Sequence, residues 1–130
     1  MNKKILKQCL IISEKNNHKH PDQDGYRHFA FVVQNEKIIE WATNTIGEPI
    51  MFLGYPSYGK VHAEFNALNK ARGIMARHSR FEVVNIRITK GGLIRNSCPC
   101  KNCFDFLASH GCSKIWFTTG LDKAFARVEC

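Results

Sequence analysis

Two short motifs constrain this chain more than anything else in it: Pro99-Cys100-Lys101-Asn102-Cys103 at the start of one helical segment and His62-Ala63-Glu64 at the start of another. A Cys-x-x-Cys at a helix start puts two sulfurs on one side of the first turn, where the helix dipole lowers thiol pKa and favours the thiolates a metal needs. Pro99 suits the rigid entry to that helix. One imidazole from the second helix start, His62, completes a His-Cys-Cys set, three ligands for a tetrahedral zinc with the fourth position left for water.

Three protein ligands and an open position form the catalytic pattern, because water on such a zinc reaches a pKa near ~7. Glu64 stands two residues beyond His62 and cannot share the metal from the same turn, but its carboxylate can sit beside the water, take its proton and return it to a substrate. That division of labour is the one a hydrolytic deaminase requires. The competing reading is a structural zinc module without catalysis, in which Cys98 or Cys112 closes the site. The single proline between Cys98 and Cys100 makes it awkward for both to reach one metal, and a closed site leaves Glu64 without a role. Cys98 and Cys112 are therefore expected to be small buried hydrophobes, Cys9 to lie in a helix stripe, and Cys130 to be a chain end.

Metal rather than disulfide is the reading for these cysteines because the chain looks cytoplasmic. No apolar run approaches the ~20 residues of a membrane span. Lys7 and Gln8 interrupt the apolar start that a signal peptide would need, and thiols in the cytosol stay reduced. A length of 130 residues, 44% of them hydrophobic, suits one compact domain over 1–130 with its own core. The net charge of +8 is unevenly spread. From Lys70 to Lys101 the basic residues are Lys70, Arg72, Arg77, Arg80, Arg87, Lys90, Arg95 and Lys101, against the single acid Glu82. Such a field attracts phosphates, on a nucleotide or on a polynucleotide. The alternative is a solvated surface that serves solubility.

Along the chain, residues 2–15 carry Ile5, Leu6, Cys9 and Ile12 on one stripe of an amphipathic helix. Residues 16–25 read as a polar surface loop in which His18 and His20 are solvated. Strands are expected over 27–33 and 37–43 with a hairpin turn between them, then a long loop over 44–61. A helix follows over 61–72 with Phe65 and Leu68 in the core, then a strand over 83–88 and a turn at Gly91-Gly92. The Cys-x-x-Cys helix runs to about His110 with Gly111 as its stop, and 115–118 is a buried strand. His28, His78 and His110 have structural explanations, and Trp41 and Trp116 belong to strands. Tyr55 and Tyr58, in the loop just before His62, offer aromatic faces suited to stacking on a planar ligand, and the alternative is that they are solvent-side loop tyrosines. The order α-β-β-α-β-α-β describes an α/β sandwich around a mixed sheet. Too few residues follow Thr119 for a parallel crossover, so a last strand over 124–129 must turn back and run antiparallel to 115–118. So short a sheet edge is expected to be protected in a homo-oligomer.

His-x-Glu together with Pro-Cys-x-x-Cys is the signature of the zinc nucleobase deaminases, and the sequence resembles the cytidine and deoxycytidylate deaminase superfamily. The resemblance covers most of the chain, and Val61-His62-Ala63-Glu64-Phe65-Asn66-Ala67-Leu68 looks most like the deoxycytidylate branch. It implies a cytidine deaminase-like α/β/α fold, zinc held by His62, Cys100 and Cys103, and Glu64 as proton shuttle. It further implies that the Ala63 N–H meets the pyrimidine carbonyl, that the Cys98 C=O accepts from the departing amine, and that Asn44 contacts the sugar. Free-cytidine members carry a glutamate two places after that asparagine, where this chain has Ile46, so the expected substrate is a cytosine nucleotide, deoxycytidylate first. Phe104-Asp105-Phe106 stands where adenine-acting members usually show small residues. The alternative is a deaminase acting on cytosine or adenine in single-stranded DNA, RNA or tRNA. Within the superfamily, an antiparallel last strand resembles the free-base and nucleoside branch, which pulls against the nucleotide choice.

Overall fold

The computed structural model describes residues 1–17, 26–46, 51–52, 55–56, 60–75 and 80–130. Asn2 opens α1 (Lys3–Asn16): its side-chain oxygen accepts from the Lys4 N–H at 2.7 Å, meeting one of the unpaired donors of a helix start. Ile5, Cys9 and Leu10 of α1 are buried, with Leu6 and Ile12 packed beside them, as the stripe predicts. β1 (Tyr26–Gln34) and β2 (Lys37–Thr43) form an antiparallel hairpin. Its two connecting residues, Asn35 and Glu36, both have positive φ, 53° and 59°, the handedness that matches the twist of the flanking strands.

The segment read as one long loop carries short ladders within its described residues. β3 (Thr45–Ile46) pairs with β6 (Lys60–Val61), and β4 (Met51–Phe52) with β5 (Tyr55–Pro56), all antiparallel. α2 (Ala63–Ala71) starts two residues later than its apolar pattern suggests, because His62 is the extended residue that precedes it. β7 (Phe81–Thr89) follows, then β8 (Ile94–Arg95), α3 (Lys101–Ser109), β9 (Cys112–Thr118) and β10 (Phe125–Glu129). Gly111, with φ of 99°, stands just past α3 as the expected stop.

The six-stranded sheet has the order β10-β9-β7-β1-β2, with β8 pairing the far end of β7. β7 runs antiparallel to β1 and parallel to β9, with α3 in the crossover, so the sheet is mixed. β10 runs antiparallel to β9, pairing Phe125 with Thr118 and Glu129 with Lys114, as expected. Strand alternation divides the core into two layers. Phe29, Phe31, Val84, Ile86 and Ile88 pack against α1. Ala30, Val32, Val83 and Ile115 face Phe65 and Leu68 of α2 and Phe106 and Leu107 of α3. The result is an α/β/α sandwich, with α2 and α3 on one face and α1 on the other. At the β2 edge, Asn66 Nδ2 donates to the Thr43 carbonyl at 2.8 Å and Lys70 Nζ to the Trp41 carbonyl at 2.9 Å, so α2 covers part of an otherwise open edge. No described helix is long and apolar enough to cross a membrane.

The β9–β10 turn depends on Gly120, whose φ is 87° and where an added Cβ would lie 3.2 Å from the Asn96 backbone nitrogen. Left-handed backbone costs an L-residue about 1–2 kcal/mol, and the crowded contact adds to that. Gly120→Ala is therefore expected to lower the thermal midpoint by several degrees, measured by circular dichroism. An unchanged midpoint would show that the turn relaxes freely.

Candidate metal centre and catalytic cavity

The two helix starts that the motifs mark face each other at one end of the sandwich. His62 precedes α2 in an extended conformation, φ −68° and ψ 150°, and makes no side-chain capping bond. Cys100 precedes α3 in the same conformation, and its Sγ accepts from the Cys103 backbone N–H at 3.4 Å. His62 Nδ1 lies 3.0 Å from Cys103 Sγ and 4.0 Å from Cys100 Sγ, and the three ligand atoms all lie within 4.8 Å of one another. Tetrahedral zinc, with bonds near 2.3 Å to sulfur and 2.0–2.1 Å to nitrogen, separates its ligand atoms by about 3.5–3.8 Å. The three residues thus fit that ion with sub-ångström adjustment. The Cys103 thiol, and after it the His62 ring, pull the Cys100 thiol down to about 3, which presents the thiolate that a metal requires. Among the described residues no other group of three His, Cys, Asp or Glu comes together in this way.

Glu64, in the first turn of α2, is 2% exposed. Its Oε2 accepts from Asn85 Nδ2 at 3.1 Å, while Oε1 is buried without a hydrogen-bond partner. A buried carboxylate oxygen left unpaired is costly, and its natural complement is a ligand or water. Asn85 is itself fully buried in the middle of β7, so the carboxylate is held from the sheet while its other oxygen stays available.

A cavity of about 170 Å³ opens beside Glu64. His62, Cys100, Cys98, Ser97 and Asn96 form one side, with His28 of β1 and Arg87 of β7 on the sheet. Ser97 anchors the 96–98 segment: its hydroxyl donates to the Asn85 carbonyl at 2.7 Å and accepts from the Thr118 N–H at 2.8 Å. Asn96 Oδ1 accepts from the Cys98 N–H at 2.9 Å and turns the chain toward Pro99. Burial, partly opposed by Glu64, pushes the His28 imidazole below its ordinary pKa, and its Nε2 has no hydrogen-bond partner. His28 and Glu64 thus bring unpaired buried polar atoms to one small cavity, which suits a polar ring-sized ligand.

Cys98 lines the cavity, but it is exposed, so the expectation of a buried hydrophobe is corrected: Asn96 and Ser97 hold its backbone at the surface end of the wall. Cys9 and Cys112 are buried as expected, and Cys130 is exposed. Asn44 is nearly buried at the end of β2, where its Oδ1 accepts from the His28 N–H at 2.9 Å and its own N–H donates to the His28 carbonyl at 3.2 Å. Tyr58, His18, His20 and His78 lie outside the described residues. His28, Asn85, Arg87, Asn96 and Ser97 were not singled out as site residues from sequence. A signal existed for two of them: Asn85 and Arg87 interrupt the apolar run of β7 at alternate positions, which turns both to one face.

No family model matches the chain, and no curated protein sequence matches it. Among solved structures, the chain is similar to the dCMP deaminase from the cyanophage S-TIM5 in its apo form, at 19% sequence identity and a TM-score of 0.59, over 93% of this chain and 90% of that one. It is likewise similar to the same enzyme in complex with dCMP and dUMP, at 21% identity and a TM-score of 0.54, over 87% of this chain and 76% of that one. At such identities the likeness is one of fold.

Proposed function

We propose, from a chain that carries the fold of a dCMP deaminase, that this protein hydrolytically deaminates a cytosine nucleotide, deoxycytidylate first among them. Water adds at C4 of the pyrimidine, the C4–N bond breaks, ammonia leaves and a C4 carbonyl remains. The observation that carries this reading is the buried Glu64, with one oxygen held by Asn85 and the other unpaired, beside a three-ligand cluster that can hold a metal. His62, Cys100 and Cys103 would hold zinc, which when bound supplies the Lewis acidity that makes water a nucleophile near neutral pH.

The chain's own residues carry the remaining steps. Glu64 Oε1 takes one proton from the attacking water and gives it to the ring nitrogen, then takes the second from the hydroxyl left on C4 and gives it to the departing amine as the carbonyl forms, while Oε2 stays bonded to Asn85. In this reading the Ala63 N–H, at the positive end of α2, donates to the pyrimidine carbonyl. The Cys98 carbonyl accepts from the leaving amine, Asn44 meets the sugar through its Nδ2, and Tyr58 closes over the base. A cavity of about 170 Å³ lies below the roughly 300 Å³ typical of drug-sized ligands, which suits one ring inside and the sugar phosphate outside.

One observation favours a second reading, a free nucleoside as substrate: β10 is antiparallel to β9, the arrangement that resembles the nucleoside branch. Turnover of zinc-loaded protein on cytidine, deoxycytidine, their monophosphates, single-stranded DNA and RNA separates these readings. Uracil product from dCMP at a kcat/KM at least tenfold above deoxycytidine is the expected result. Activity confined to polymers, or equal on nucleoside and nucleotide, would overturn the nucleotide assignment. We further infer self-association through the exposed edge of the sheet, to be checked by light scattering at micromolar concentration, where a monomer would reject it.

A further inference from the structure

We propose that Arg95, with Arg87 behind it, forms the site that receives the phosphate of the substrate, so that phosphate recognition in this chain rests on the β7–β8 hairpin. The inference deepens the nucleotide reading above and depends on it for the identity of the ligand.

The basic surplus between Lys70 and Lys101 is not one uniform field in the structure. Lys70 is tied to the Trp41 carbonyl and to Glu40, at 2.9 and 3.4 Å. Lys101 pairs with Asp105 at 3.1 Å. Arg72, Arg80 and Lys90 are exposed, and none of them lines the catalytic cavity. Arg87 does line it.

Arg95 is the direct cross-strand partner of Arg87. Direct partners share a face of the sheet, with their Cβ atoms about 4.5–5.5 Å apart, and like charges so placed repel each other. The face is the cavity side: Ile94, next to Arg95, packs into the α1 layer, and alternation turns Arg95 the other way. Arg95 is exposed and makes no ion pair among the described residues. Arg87 has interactions of its own, so the guanidinium left to meet an anion beside it is that of Arg95, whose paired N–H donors suit phosphate oxygens.

The position also fits a substrate whose base occupies the cavity. The exposed lining residues Asn96, Cys98 and Cys100 mark its mouth, and Arg95 immediately precedes Asn96. A group carried outside the cavity by a base-bound nucleotide therefore emerges beside the hairpin. Asp122 and Lys123 share a neighbouring depression with Arg95, and Lys123 is paired with Glu14 at 3.5 Å, which leaves Arg95 as the cation nearer the mouth.

The test compares zinc-loaded wild type with Arg95→Gln, Arg95→Lys and Arg72→Gln, the last removing an equal charge at the end of α2 away from His62. Turnover is measured on dCMP and deoxycytidine at low and high salt, and binding of dUMP and deoxyuridine by calorimetry. Arg95→Gln is expected to lower kcat/KM on dCMP and affinity for dUMP by tenfold or more, leave deoxycytidine and deoxyuridine within twofold, and flatten the salt dependence. Arg95→Lys should recover part of the loss, and Arg72→Gln should resemble wild type. An Arg95→Gln protein that keeps the wild-type preference for dUMP, or an equal loss in Arg72→Gln, overturns the proposal. If wild type deaminates neither compound, the function above fails, and the dUMP calorimetry still decides the phosphate site: weakening by Arg95→Gln supports it, and absence of dUMP binding to wild type rejects it.

Discussion

Glu64→Gln is expected to cut turnover by about 10²–10⁴-fold, the range that a positioned proton-transfer group contributes, while the protein keeps its zinc and its fold. The amide preserves the size of the side chain and can still accept from Asn85 Nδ2, so the bond that positions Glu64 survives in kind. It cannot take up a proton at neutral pH, which is the single property the proposed chemistry asks of Oε1. The Glu64→Ala variant removes the same function but also leaves the buried Asn85 without its partner, so a moderate fall in stability should accompany its loss of activity. Turnover, zinc content and thermal midpoint measured together on both variants separate the roles. A Glu64→Gln enzyme that deaminates normally would remove the shuttle role, and one that loses zinc would make Glu64 a ligand.

Cys103→Ser is expected to abolish stoichiometric zinc, with the activity that depends on it, and to lower stability by on the order of 3 kcal/mol or more, because metal-binding free energy contributes directly to folding free energy. Cys103 is the right residue for this test because it is 1% exposed and belongs to the α2–α3 core layer as well as to the cluster. Serine offers a harder, poorly ionised oxygen in a place that an exposed ligand could exchange with water but a buried one cannot. Cys100, at the exposed end of the cluster, should lose metal with a smaller cost to folding. Elemental analysis showing about one zinc per wild-type chain, alongside thermal unfolding of both variants, checks the prediction. A wild-type protein that is folded and active without zinc would overturn it.

The His-Cys-Cys cluster was legible because its parts obey local rules. Pro99 before Cys100, the i to i+3 spacing of the two cysteines and the extended residue before each helix are all set within one or two turns of chain. The antiparallel β10 was legible for a different reason: the stretch 119–124 that joins it to β9 is too short for a crossover. Helix α1 and its stripe followed from periodicity alone. The 44–61 segment was not legible in the same way, since the two-residue ladders described there have no run long enough to show a period.

Tertiary structure alone decided what surrounds the cluster. Asn85 could be seen as a polar residue in an apolar strand, but that it would hold the Glu64 carboxylate depends on α2 packing over β1 and β2 with its first turn reaching β7, a relation between elements far apart in the chain. His28 had a sufficient explanation as a strand residue until the pairing of β1 with β7 set it beside Arg87 on the cavity side. Arg95 belonged to a diffuse positive run until β8 folded back and put it opposite Arg87. Each of these is a matter of strand register and of which face of the sheet meets which helix. Register is specified by how whole strands bury their apolar faces, and a shift of one residue reverses every side chain. Residue types and short spacings therefore carry the identity of the candidate metal ligands and of the proposed proton carrier, whereas the cavity's floor and its charge exist only once the strands have paired.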